Sequence, residues 1–108
     1  MDETVYQHLA DRTFKRIEDA LKDVDAEDVD VERAGDVVTL TFKGNKRCVL
    51  NTQRPTRQIW LAANARAWHF SYDEKKDAWL DDKQPNVELF ATVEGVVKDG
   101  AGVAIKVT

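Results

Sequence analysis

Residues 18–32 read EDALKDVDAEDVDVE, and the spacing of their apolar residues changes partway along. As far as Val24 the apolar positions recur every three to four residues, the repeat of one helix face. From Asp28 they alternate strictly, which turns Val29 and Val31 toward a core and Asp28, Asp30 and Glu32 toward water. A helix therefore feeds directly into a sheet. The same stretch sets Glu18, Asp19, Asp23, Asp25, Glu27, Asp28, Asp30 and Glu32 against the single base Lys22, a local charge of −7 in a chain of formal net charge −4. Concentrated like charge costs stability. A chain that keeps it is expected to meet a cation or a basic partner.

Upstream, residues 3–24 predict an amphipathic helix. Its apolar stripe is Val5, Leu9, Thr13, Ile17, Leu21 and Val24, flanked by Tyr6, Ala10, Phe14 and Ala20. Asp11, Arg12, Lys15, Glu18, Asp19, Lys22 and Asp23 lie opposite. Asp2 and Glu3 suit the positive end of the helix dipole, whereas Asp19, Asp23 and Asp25 crowd the negative end, where cations are preferred. Local rules tend to be broken at functional sites.

Downstream, the alternation predicts a series of strands. Ala34-Gly35-Asp36 is a turn, and residues 37–42 (VVTLTF) turn Val38, Leu40 and Phe42 to one face. Lys43-Gly44-Asn45 signals a hairpin. Arg47 to Asn51 continues with Cys48 and Leu50 inward, and Arg54-Pro55 breaks the ladder. Residues 58–63 (QIWLAA) put Ile59 and Leu61 inward, so Gln58, Trp60 and Ala62 share the outer face with Asn51. Residues 67–72 place Trp68, Phe70 and Tyr72 opposite His69 and Ser71, and residues 78–80 form a short edge strand. A second helix is expected from about Pro85-Asn86 to Gly100, with Val87, Phe90, Val93 and Val97 as its stripe. The alternating tail Val103–Val107 is too apolar to stand free. One helix, about six antiparallel strands and one helix make an α+β chain: a two-layer α/β sandwich with both terminal helices on one face of the sheet.

Composition sets the bounds. A chain of 108 residues, 43% hydrophobic and 33% charged, suits one globular domain spanning residues 1–108. No apolar run reaches the roughly 18 residues of a membrane span. The acid-bearing start MDETVYQHLADR is unlike a signal or transit peptide, so a cytoplasmic location is expected, although a processed mitochondrial protein would read the same. The lone Cys48 excludes an internal disulfide and a thiolate zinc cage. The acidic balance argues against nucleic acid as main partner.

Taken together, Leu9-Ala10-Asp11, Ile17-Glu18, the alternating Asp28–Glu32, Asn51-Thr52-Gln53-Arg54-Pro55, Gln58-Ile59-Trp60-Leu61-Ala62, His69-Phe70 and Trp79 resemble the frataxin family, in its bacterial CyaY type. The N-x-Q-x-P…Q-I-W-L segment is the specific part. The resemblance implies the same sandwich and a non-enzymatic accessory role in iron–sulfur cluster assembly. It implies weak iron binding (Fe2+/Fe3+, with other divalent cations open) along Glu18, Asp19, Asp23, Asp25, Glu27, Asp28, Asp30 and Glu32. It also implies docking on the cysteine desulfurase and its iron–sulfur scaffold protein, with a partner-facing surface at Asn51, Gln53, Gln58 and Trp60. Iron donor, desulfurase regulator and iron store stay open, as does oligomerisation of the monomer on iron loading. Lys22 interrupts the acids, residues 64–68 (NARAW) lack the glycines usual at that turn, and the tail after Trp79 departs from the family pattern.

Each feature also has a plainer reading. A charge run is usually a solvated face, but this one has almost no interleaved lysines, and carboxylates are hard donors suited to iron, manganese, calcium or magnesium. An EF-hand is excluded, because no glycine falls at the sixth loop position. Trp60 would ordinarily be core, yet Ile59 and Leu61 already claim the inside, which leaves it as an exposed aromatic anchor. His8 and His69 read as lone surface histidines and Cys48 as an inert core thiol. Arg33, Lys43, Lys46, Arg47, Arg54, Arg57 and Arg66 suggest a second, basic docking surface. No catalytic constellation is present. The rival readings are a metal-independent interaction module whose ridge binds a basic partner, and an enzyme oxidising ferrous iron at the ridge, which the lack of a di-iron ligand set disfavours.

Overall fold

The computed structural model describes residues 1–108. Helix α1 spans Glu3–Leu21 and opens on Asp2, whose carboxylate accepts the Val5 N–H at 2.9 Å. Its buried face is Tyr6, Ala10, Thr13, Phe14, Ile17 and Leu21. The stripe therefore runs one position round from the expected one, and Val5 is left exposed. The last turn carries no base, so the adverse placement of acids at this end is real. The helix stops three residues short of the expected Val24 because the chain turns. The Val24 N–H bonds the Leu21 carbonyl, the N–H groups of Asp28 and Val29 both bond the Asp25 carbonyl, and the Asp25 carboxylate accepts the Glu27 N–H at 2.9 Å.

Six strands follow: β1 (Val29–Ala34), β2 (Val37–Phe42), β3 (Arg47–Gln53), β4 (Gln58–Ala63), β5 (Arg66–Asp73) and β6 (Ala78–Asp81). Each pairs antiparallel with its sequence neighbours, giving one meander in the order β1-β2-β3-β4-β5-β6. Period-2 alternation sends Val38, Leu40, Phe42, Cys48, Leu50, Ile59, Leu61, Trp68, Phe70 and Trp79 to the helix side, where all are buried. The opposite face is left open. The left-handed turn after β1 falls on Gly35 (φ +58°) and that after β2 on Gly44 and Asn45 (φ +92° and +70°), conformations that glycine and asparagine tolerate.

Helix α2 spans Leu89–Ala101, four residues later than proline at a helix start suggests. Residues 85–86 instead form a turn that lets Glu88 bridge to Leu80 of β6. The Glu88 carboxylate then caps the helix, accepting the N–H groups of Phe90 and Ala91. The helix ends at Gly102 (φ +68°) rather than at Gly100. Gly100 has a different duty: a Cβ there would sit 2.6 Å from the Phe42 ring, so α2 approaches β2 at a glycine-only distance. Two anchors tie α1 to the sheet. The Trp79 indole N–H donates to Thr13 Oγ1 at 2.9 Å, and the Tyr6 hydroxyl donates to the Gln58 carbonyl at 2.6 Å while accepting the Gln53 N–H at 3.0 Å. The tail packs back as its alternation requires, with Val107 buried and its N–H donating to Glu94 Oε2 at 2.9 Å.

Candidate docking face and acidic ridge

The open sheet face is built by register. Asn51 pairs with Trp60, Trp60 with His69, Gln53 with Gln58 and Gln58 with Ser71, so the four residues marked from sequence stand side by side. Trp60 is half-buried because its ring stacks on the His69 imidazole, with centroids 4.1 Å apart and planes 14° from parallel. Its indole N–H donates to Gln58 Oε1 at 2.8 Å. Gln58 is itself buried, with its amide nitrogen donating to Ser71 Oγ at 3.1 Å and to Asp82 Oδ2, while Ser71 Oγ donates to Asp82 Oδ1 at 2.8 Å. Beside them, the buried Asp81 carboxylate accepts the N–H groups of His69, Lys83 and Gln84.

Gln58 is thus a support for Trp60 rather than a free contact, and the accessible surface is Asn51, Gln53, Trp60 and His69. Sequence reasoning missed His69, Ser71, Asp81 and Asp82. His69 and Ser71 share the Trp60 phase and could have been found by pairing strands, whereas the Asp82 contact depends on how the chain leaves β6.

The ridge is divided between two surfaces. Glu18, Asp19 and Asp23 belong to α1 and the turn after it, and Asp25, Glu27 and Asp28 to the loop. Asp30 and Glu32 point to the open sheet face, paired in register with Thr41 and Thr39. Several acids already have partners. Asp19 meets Lys15 at 3.6 Å, Asp25 closes the loop, and Glu18 meets Arg33 Nη1 at 3.1 Å. Arg33 Nη2 reaches Asp11 at 3.0 Å. No three carboxylate, imidazole or thiolate groups converge as a metal-holding cluster. The donor set therefore does not fit a resident metal, and each carboxylate can contribute only an open, water-completed contact. His8 is exposed on α1.

Of the expected basic surface, Lys43, Lys46 and Arg47 stand exposed together at the β2–β3 turn, and the other four lie elsewhere. Arg33 belongs to the ridge, Arg54 pairs with Asp36 at 3.2 Å, Arg57 lies over the Tyr6 ring and Arg66 over the Trp68 ring. Cys48 is buried in the core, and burial pushes its thiol up to about 12.

A two-helix, six-strand sandwich with an open sheet face, one pinned tryptophan and an acidic edge defines a class of small two-layer α/β proteins. The comparisons narrow the class to a family. A model of the frataxin-like domain matches residues 1–103, so the match continues well past Trp79, where the resemblance was expected to fade. The iron–sulfur cluster assembly protein CyaY of Pseudomonas fluorescens is 35% identical over 102 residues, covering 94% of this chain and 91% of that protein. The protein of the same name from Pseudomonas aeruginosa is 39% identical over 82 residues, covering 76% and 75%. The solved structure of a frataxin from Psychromonas ingrahamii superposes with a TM-score of 0.90 at 25% identity, covering 100% of this chain and 99% of that one. The chain belongs to the frataxin family.

Proposed function

We propose that this chain is a non-enzymatic accessory protein of iron–sulfur cluster assembly. It docks on the cysteine desulfurase–scaffold complex through the Asn51–Trp60–His69 row and holds iron weakly as cargo along the acidic ridge. The name borne by its relatives supports the pathway, and the cytoplasm is the compartment this reading implies. The observation that carries the docking role is the fixing of Trp60. An indole stacked on His69, and hydrogen-bonded to a glutamine that is itself held by Ser71 and Asp82, loses little freedom when a partner covers it. Pre-organised aromatic anchors of this kind dominate interface energetics.

Trp60→Arg tests it. The side chain projects from the uncovered face, so thermal stability should fall by less than about 1.5 kcal/mol. Affinity for the desulfurase–scaffold complex, read by calorimetry, should fall at least 100-fold, about 2.7 kcal/mol. Unchanged affinity overturns the docking role, and a large loss of stability would mean that Trp60 is core. The open spacing of the carboxylates favours the metal-independent module as a second reading. An anaerobic ferrous titration followed by NMR separates the two. Shifts or broadening at Asp23, Glu27, Asp28, Asp30 and Glu32 support iron as cargo, and silence at these residues leaves a ridge that serves only a basic partner.

A further inference from the structure

We propose that Arg33 is a built-in cation that bridges Asp11 and the first ridge acid, Glu18, keeps metal ions off both, and leaves them Asp19 and residues 23–32. The inference rests on the reading of the ridge as a cation-binding surface. Strand phase puts Arg33 there: Val29, Val31 and Arg33 alternate toward the helix layer, and the Arg33 side chain is only 29% exposed. Asp11 and Glu18 are seven residues apart on α1, two turns along one stripe, with Phe14 between them. The guanidinium spans that gap. Nη2 contacts Asp11 at 3.0 Å, Nη1 contacts Glu18 at 3.1 Å, and Cζ lies 5.4 Å from the centre of the Phe14 ring.

A guanidinium suits this position. It keeps its charge at every working pH, presents two nitrogens in a rigid fork and tolerates an aromatic face. A lysine could reach one carboxylate but not bridge both. The Lys15–Asp19 pair differs, since both side chains are largely exposed at 74% and 57% and meet at 3.6 Å, so an incoming cation displaces it readily. An ion approaching Glu18 must instead dislodge a half-buried charge that also pins β1 to α1. Repulsion between a divalent ion and a fixed unit charge about 4–5 Å away lowers affinity on the order of tenfold in a solvent-like medium.

The test is a manganese(II) titration followed through paramagnetic broadening of backbone amides in the wild type, Arg33→Met and Arg33→Lys. In the wild type, broadening should centre on Asp19 and residues 23–32, with no second centre at Asp11 and Glu18. Arg33→Met should extend it to Asp11 and Glu18 and tighten binding on the order of tenfold. Arg33→Lys keeps the charge and the aliphatic stem, so it stays folded even where the methionine variant does not. It should expose one of the two carboxylates and tighten binding about threefold, a smaller share of the same effect. A broadening centre at Asp11 and Glu18 already in the wild type, or both variants titrating like the wild type, overturns the assignment and leaves the ridge reading standing. No broadening at any ridge residue in any of the three proteins overturns the ridge reading, and this proposal with it.

Discussion

Replacing Tyr6 by phenylalanine removes one oxygen atom and no ring, so the packing of α1 against β3 and β4 survives while two hydrogen bonds are lost. The hydroxyl donates to the Gln58 carbonyl at 2.6 Å and accepts the Gln53 N–H at 3.0 Å. Both backbone groups belong to the last register pair at the β3–β4 corner, Gln53 with Gln58, just before the short helical turn Arg54–Thr56, and the hydroxyl bridges one to the other. Leaving a buried polar group unpaired costs about 1–3 kcal/mol. The Gln53 amide is only half-buried and recovers part of its loss from water. The expected destabilisation is about 2–3 kcal/mol, which for a chain near 100 residues lowers Tm by roughly 10–20 °C. Urea unfolding followed by tryptophan fluorescence measures it directly.

The same hydroxyl supplies an internal check through pH. Burial raises its pKa above the ordinary 10, so the folded state holds that proton more tightly than the unfolded chain. The stabilisation is complete below pH 10 and is lost as the pH rises through the raised folded value. Tyr6→Phe should remove that part of the alkaline decline. Because the corner positions Gln53 and Gln58 beside Trp60, the variant should also weaken partner affinity through disorder of the face. A loss below about 0.5 kcal/mol, with unmoved amide shifts at Gln53 and Gln58, would refute the argument, since a buried carbonyl and a half-buried N–H cannot both be orphaned without cost.

Two glycines of α2 should respond in opposite directions. Nothing lies within 4 Å of a Cβ placed at Gly95, so Gly95→Ala should stabilise by about 0.5–1 kcal/mol. Gly100→Ala drives a methyl group to 2.6 Å from the Phe42 ring and should destabilise by about 1–3 kcal/mol; paired thermal melts read both. The Cys48 thiol, raised by burial from 9.0 to about 12, contributes stability that is complete below pH 9 and lost at about 1.4 kcal/mol per unit as the pH climbs toward 12. Cys48→Ala should flatten that limb of the pH–stability curve, and the native thiol should react with iodoacetamide only at the rate of unfolding.

Most of the fold was legible because its signals are local. Strict alternation in residues 37–42 and 58–63 put Val38, Leu40, Ile59 and Leu61 in the core, and a one-residue slip would have exposed all four. Helix ends were less legible. Pro85 looked like a start, yet the true cap is Glu88, chosen by its bridge to Leu80. Gly100 looked like a stop, yet its missing side chain serves Phe42, a contact with a residue 58 positions away in the chain.

The amino-acid sequence by itself determined the periodicities, the charge concentration at residues 18–32 and the face on which Trp60 stands, since each depends on neighbours a few residues apart. Tertiary structure alone decided what those features do together. Stacking Trp60 on His69 needs β4 beside β5, and holding Gln58 needs the chain leaving β6 to return Asp82 to that corner. Arg33 read from sequence as part of a basic surface, but once β1 lies along α1 it becomes the counter-ion of Asp11 and Glu18. The physical reason is range: backbone geometry fixes period and phase over a few residues, whereas charge pairing and side-chain stacking are settled by whichever distant segments the packed core brings within about 4 Å.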